Sequence, residues 1–318
     1  MSVKNVRFGG YRFDCCYFKL LFAVQILTDP RLRETSMQVQ RVNLGTNSTN
    51  SKEKCPCIEV AWVPGSQGSE FVTGLMDGSI LLHKKLIANS SDTELLHRSE
   101  STSSFRADSA VLVRSSSDGP IYCMSLSPDG SRVAVGTKDG RLQVLDIHTG
   151  ALHGGFHSFF GGVLCCTWSP DGGMIAAGGE DDLIAVWDVE TRQISCHCEG
   201  HTSWVSSIAF DSSVRKEEDA PRLLASVGQD CKVCMWEIIQ DSFENTESPN
   251  QSKASLPPRH PAISDGLTLA TKKNDMNLIN PLCCLRIHHD PLSYVGFLHD
   301  SVVVGGYDGA ILVWKKLE

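Results

Sequence analysis

Three consecutive acids, Glu180-Asp181-Asp182, are the residues of this sequence most suggestive of chemistry. In a pocket, paired carboxylates hold a divalent metal or exchange a proton with a substrate. Cysteines offer a second chemistry, as Cys-Pro-Cys at 55–57, Cys-His-Cys at 196–198, and Cys231 with Cys234. A structural zinc site needs four ligands, as a rule in two paired spacings. Cys231 and Cys234 have odd separation and would face opposite sides of a strand. Cys196 and Cys198 share a side, but no matching pair is placed for them. The sequence also lacks a Gly-rich phosphate loop opening a helix and a Gly-x-Ser-x-Gly elbow. We therefore expect no metal, no cofactor and no catalytic residue, and Glu180 and Asp182 read as solvated turn residues.

The elements around the acids explain them better. Around Asp181 the chain reads GGEDDLIAVWDV, and related stretches read GLMDGSILLHKK, GTKDGRLQVLDI, VGQDCKVCMWEI and GGYDGAILVWKK. Each has an Asp, an apolar alternation and a large residue six positions on. The pairs are Asp77/His83, Asp139/Leu145, Asp181/Trp187, Asp230/Trp236 and Asp308/Trp314. Upstream of each lies another alternating run: CIEVAWVPG, IYCMSLSPDG, VLCCTWSPDG, VSSIAFDSS and LSYVGFLHD. A short apolar run such as MIAAGG or LLASVG separates the two. Each unit thus predicts three period-two strands joined by tight turns, with a fourth outer strand to follow. Five such units, spaced about 40 residues or more apart, predict an all-β propeller of four-stranded blades over 55–318.

Composition limits the function classes. Acidic residues number 37 against 29 basic ones, a formal net charge of −8. Neutralising phosphates needs a basic face, so nucleic acid is not an expected partner. The 13 cysteines are an odd number, with adjacent pairs at 15–16, 165–166 and 283–284. Neighbours on a strand face opposite ways, which suits core packing rather than a disulfide framework. They read as free thiols of a reducing compartment, the cytoplasm or nucleus. The apolar stretch from Tyr17 to Leu27 is interrupted by Lys19 and falls short of the roughly 20 residues that span a bilayer, so no membrane association is expected.

Two segments break the rhythm, at about 84–109 and about 240–280, both rich in Ser and charge. Such composition predicts flexible insertions on the rim. Within the first, AVLVR is a candidate outer strand. Residues 1–54 hold no recognisable unit, and Met37 to Leu44 is the expected closing strand for the last blade.

SPDG, Gly200-His201 and VWD make the repeat similar to the WD-repeat family. That resemblance implies a hydrogen-bonded relay of a loop His, a strand hydroxyl, the turn Asp and the Trp. Carried over, the fourth unit has the full set: His201, Ser226, Asp230 and Trp236. The third keeps His157, Asp181 and Trp187, with Ala177 at the hydroxyl position. The last keeps His288, Asp308 and Trp314, with Val304 there. The first two depart further, ending in His83 and Leu145.

Three longer stretches resemble one subfamily: SFFGGVLCCTWSPDG with GGEDDLIAVW, GHTSWVSSIAFD with SVGQDCKVCMWE, and IHHDPLSYVGFLHDSVVVGG. The chain is similar to the creC, dystrophia myotonica WD-repeat and WD-repeat protein twenty family, whose rings have seven blades. The resemblance implies a scaffold that binds and activates a ubiquitin-specific protease of creB type, with a second WD-repeat protein as a further expected partner. A competing role is substrate receptor of a cullin-type ubiquitin ligase. Such receptors often carry Trp-Asp-x-Arg after the third strand, and the stretches beginning at Trp187, Trp236 and Trp314 lack the Arg. Exposed loop aromatics are typical binding anchors. The expected contact residues are Phe160 and Trp204, with Phe159, Glu180, Gln229 and Tyr307 around them.

Overall fold

A computed structural model describes residues 57–66, 70–85, 107–114, 119–212, 221–239, 263–264, 266–268, 277–298 and 301–315. The candidate closing strand at Met37 to Leu44 and the apolar stretch at 17–27 lie outside the described residues. Among the described residues every regular element is a strand, in five antiparallel blades.

The first blade holds β1 (Cys57–Trp62), β2 (Glu70–Leu75), β3 (Ser79–Lys85) and β4 (Ala107–Arg114). AVLVR thus belongs to its outer strand, paired with β3 across the first insertion. The second blade holds β5 (Ile121–Leu126), β6 (Arg132–Thr137), β7 (Arg141–Asp146) and β8 (Leu152–His157). The third holds β9 (Val163–Trp168), β10 (Met174–Gly179), β11 (Leu183–Asp188) and β12 (Gln193–Glu199).

In the fourth blade, β13 (Val205–Phe210), β14 (Arg222–Gly228) and β15 (Lys232–Ile238) precede the second insertion. That insertion contains three short strands, β16 (Ile263–Ser264), β17 (Leu267–Thr268) and β18 (Leu278–Ile279). The chain then returns as β19 (Cys283–Arg286) to complete the blade beside β15. The last blade has three described strands, β20 (Leu292–Leu298), β21 (Ser301–Gly306) and β22 (Ile311–Lys315).

Within the stretch at 240–280, the described residues 263–264, 266–268 and 277–279 dock against the blades. β17 pairs in parallel with β8, and β18 pairs in parallel with β12. Leu267 is fully buried, and Thr268 Oγ1 donates to Arg192 O at 3.2 Å. Asn277 Nδ2 donates to Ser195 O, while His197 N donates to Asn277 O at 2.8 Å. This strap covers the outer edges of the second and third blades, edges that would otherwise present unpaired backbone groups. Ser and Pro dominate the local composition and mask the few apolar residues that dock.

Alternation explains the packing between blades. In the third blade Ile175, Ala177, Ala185 and Trp187 face the second blade, while Met174, Ala176, Ile184 and Val186 face the fourth. The second, third and fourth sheets are sandwiched, so both of their faces are apolar. Four clusters fill the gaps between successive blades. Inner strands also touch in sequence order, β1 with β5, β5 with β9, β9 with β13 and β13 with β20. Polar pins cross the gaps: Trp168 Nε1 donates to Ser125 O at 3.0 Å, and Met124 N donates to Glu59 Oε2 at 2.7 Å.

Candidate functional site

Four of the five blades repeat one bond on the face that carries the turn Asp. The residue before the Asp donates its N–H to the loop leading into the first strand. The pairs are Lys138 to Pro120, Glu180 to Gly162, Gln229 to Trp204 and Tyr307 to Pro291, at 2.9–3.1 Å. Register on this face is therefore fixed residue by residue. It also shows that Trp204 is the counterpart of Gly162, and that Phe160 matches Thr202. Both aromatics share the face, but they stand two steps apart along their loops.

In the fourth blade the relay is continuous. His201 Nδ1 is 3.1 Å from both carboxylate oxygens of Asp230, and His201 Nε2 is 2.8 Å from Ser226 Oγ. Trp236 Nε1 donates to the same hydroxyl at 2.9 Å. With the His proton on Nδ1 every donor meets an acceptor, because the Ser226 hydroxyl donates to Nε2. Asp230 also accepts the N–H groups of Thr202 and Lys232. Burial pushes the Asp230 carboxyl up, yet the bonds from His201 and Thr202 outweigh it and hold it at about 2. Gly200 is needed beside His201, since a Cβ there would lie 2.8 Å from the Trp236 ring.

The third blade lacks this continuity. His157 ends β8, opposite Arg141 in the second blade. The residue four before the first strand, where His201 stands in the fourth blade, is here Phe159. Asp181 accepts instead the N–H groups of Phe159 at 3.2 Å and Leu183 at 3.4 Å. Ala177 occupies the hydroxyl position, and the buried Trp187 Nε1 has no hydrogen-bond partner. The Gly-His spacing of the fourth blade identifies the correct register, and the nearby His157 obscures it in the third.

In the last blade His288 Nε2 faces Asp308 at 3.6 Å, while Val304 supplies no hydroxyl for the half-buried Trp314. His288, Asp290 and Asp308 bring three possible ligand atoms together. However, His288 Nδ1 accepts Asp290 N–H and Asp308 Oδ1 accepts Ala310 N–H, so two of the three groups hold backbone. The first blade keeps more of the relay than its sequence suggests. Thr73 Oγ1 and His83 Nε2 are 2.9 Å apart, both buried, so His83 takes the part of the Trp nitrogen. Burial lowers the His83 pKa, and the Phe71 ring stacks on the imidazole at 4.5 Å.

Several large apolar side chains stand exposed on the face with the turn Asp residues. Phe160 is 71% exposed, Tyr307 56%, Phe159 52% and Trp204 42%. Met76, which precedes Asp77 in the same register, is 49% exposed and is not prominent in the sequence pattern. Gln229 is exposed beside Trp204. Glu180 plays another part: its Oε2 accepts Gly162 N–H at 3.1 Å, bracing the loop that carries Phe160. Gly161, with φ of 68°, lets that carboxylate approach, because a Cβ would lie 2.6 Å from it. A cleft of about 420 Å³ opens between the third and fourth blades, lined by Phe159, Asp181, Asp182, Leu183, Glu199, His201 and Thr202. Asp181 is pushed up by burial, and Asp182 by burial and the Asp230 charge. The acids on this face either brace the backbone or rim the open cleft.

Comparison with known proteins agrees with this geometry. The family described as "WD domain, G-beta repeat" matches residues 108–146, 155–188 and 192–237. The chain thus carries WD repeats within a β-propeller arrangement of five described blades. It is 28% identical over 231 residues to "UBP9-binding protein bun62" of Schizosaccharomyces pombe, covering 63% of this chain and 41% of that protein. It is also 28% identical over 305 residues to "WD repeat-containing protein 20" of Mus musculus, covering 79% of this chain and 52% of that one. The chain thus spans about half the length of these curated relatives, and both matches are consistent with the family resemblance seen in its motifs.

Proposed function

We propose that this chain is a non-catalytic scaffold of the cytoplasm or nucleus that docks a ubiquitin-specific protease and raises its activity. The observation that carries the reading is the group of exposed aromatics on one propeller face, with Phe160 71% exposed on a braced loop. An aromatic centre with polar neighbours is the layout of an interface core. The name of the fission-yeast relative, a protein that binds UBP9, supports a protease as the occupant. Activation follows from population shift: a scaffold that binds the active arrangement more tightly than the idle one raises its share.

The test is hydrolysis of a fluorogenic ubiquitin substrate by purified ubiquitin-specific proteases titrated with this chain. Saturable acceleration of at least one protease is the expected result. Unchanged turnover and no complex across the protease panel, alongside capture of a ligase adaptor, would overturn the proposal in favour of a ligase receptor.

A further inference from the structure

Cys234 on β15 and Cys284 on β19 are directly opposite each other in the antiparallel ladder. Their Sγ atoms are 2.9 Å apart, and both are free thiols. Opposed residues in such a ladder have Cα atoms about 4.5–5.5 Å apart, within the range a disulfide spans. Side-chain rotation alone can therefore bring the sulfurs to bonding distance. The two thiols differ in access. Cys234 is fully buried, whereas Cys284 is half-buried at the blade rim. Burial and the neighbouring thiol both push the Cys234 pKa far up, so it is a poor first target for an oxidant. The pair Cys123 and Cys166, 3.5 Å apart between the second and third blades, is buried at both ends.

We propose that Cys234 and Cys284 form a peroxide-oxidisable disulfide that staples the outer strand of the fourth blade to its neighbour. Peroxide transfers one oxygen to Cys284 Sγ, giving a sulfenic acid and one water. The Cys234 sulfur then attacks the Cys284 sulfur. The S–O bond breaks, and the Cys234 proton leaves with the hydroxyl as a second water. Two thiols lose two electrons and one peroxide gains them. The bond joins residues 50 apart in sequence, across the insertion, on the blade that holds Trp204 and the complete relay. A cross-link closing a loop of that length restricts the unfolded chain and stabilises the fold.

The test treats the whole chain with hydrogen peroxide, blocks the remaining thiols and maps peptides by mass spectrometry. A linked pair containing Cys234 and Cys284, about 2 Da lighter than the two thiol peptides, is expected. Dithiothreitol should release it. Oxidation should raise the melting temperature by roughly 5 °C. Cys284→Ser should abolish the link and the shift, whereas Cys283→Ser, which alters the exposed neighbour, should keep both. If the folded wild type oxidises at Cys283 and yields no 234–284 link, the proposal is overturned, whether or not Cys284→Ser folds.

Discussion

Replacing Asp230 by Ala should cost far more stability than replacing Asp77, although both occupy the same turn position. Asp230 is 4% exposed at its side chain and accepts His201 Nδ1 at 3.1 Å, Thr202 N at 2.9 Å and Lys232 N at 3.1 Å. Its carboxyl, held at about 2 against an ordinary 3.8, represents about 2 kcal/mol of stability at neutral pH. Alanine also strands the buried His201 donor and frees the exposed Thr202 N–H, for a combined loss of about 3 kcal/mol. For a chain of 318 residues that is a fall of about 5 °C in melting temperature. Asp77 is exposed and accepts Ser79 N–H at 2.9 Å, so its removal should cost under about 1 kcal/mol. The sign with pH follows from the depressed carboxyl. Its stabilisation is complete above about pH 4 and is lost as pH falls toward 2, so the gap between wild type and Asp230→Ala should narrow at pH 3. Calorimetry on both variants at pH 7 and urea titration at pH 3 supply the comparison. Equal melting shifts, or a gap that persists unchanged in acid, would refute the relay as the source of stability.

Ala177→Ser places a hydroxyl two residues before Gly179, the position of Ser226 in its own blade, within reach of the unpartnered Trp187 Nε1. It should raise stability by about 1 kcal/mol in calorimetry; a lower melting temperature would show that the site has no room for the oxygen. Leu267→Ala should cost about 2–4 kcal/mol in urea unfolding because Leu267 is the fully buried residue by which the strap docks, and an unchanged midpoint would show that the strap adds no stability. Burial pushes the Glu59 carboxyl up to about 7 against the bond from Met124 N. A raised carboxyl favours the fold at low pH and loses that contribution as pH rises through about 7. Glu59→Gln should therefore melt with wild type at pH 5 and above it at pH 8.5; the reverse order would contradict the assignment.

Much of this architecture is legible in the sequence because each turn has backbone requirements that few residues meet. The position after the turn Asp has positive φ in every described blade: Gly78, Gly140, Asp182, Cys231 and Gly309. Glycine marks three of these turns, and the alternating runs on either side mark the strands. The fourth-blade relay is equally visible, since Gly200-His201 precedes the strand at the right interval. The third blade misleads because a His lies two residues from the register position that Phe159 holds. The first blade conceals its hydrogen bond because His83 replaces the expected Trp, and identity at one position does not reveal what Thr73 will meet. The strap was hidden for another reason. Strand addition uses backbone groups, so β17 and β18 need only a few apolar residues to dock. Glu180 reads as a solvated turn residue in the sequence, and only its bond to Gly162 N–H reveals the brace.

Under the proposed function, the exposed aromatic face binds the protease. This is tested most directly by measuring affinity and melting temperature together for Phe160→Ala and Trp204→Ala. Phe160 is largely solvent-facing at 71% and Trp204 partly so at 42%, so truncation should move the melting temperature by no more than about 2 °C. As interface anchors, each should weaken binding to the activated protease by about 2 kcal/mol, a roughly thirtyfold rise in Kd. Wild-type affinity in both folded variants would contradict the account, and early unfolding would show the rings to be staples of their own loops.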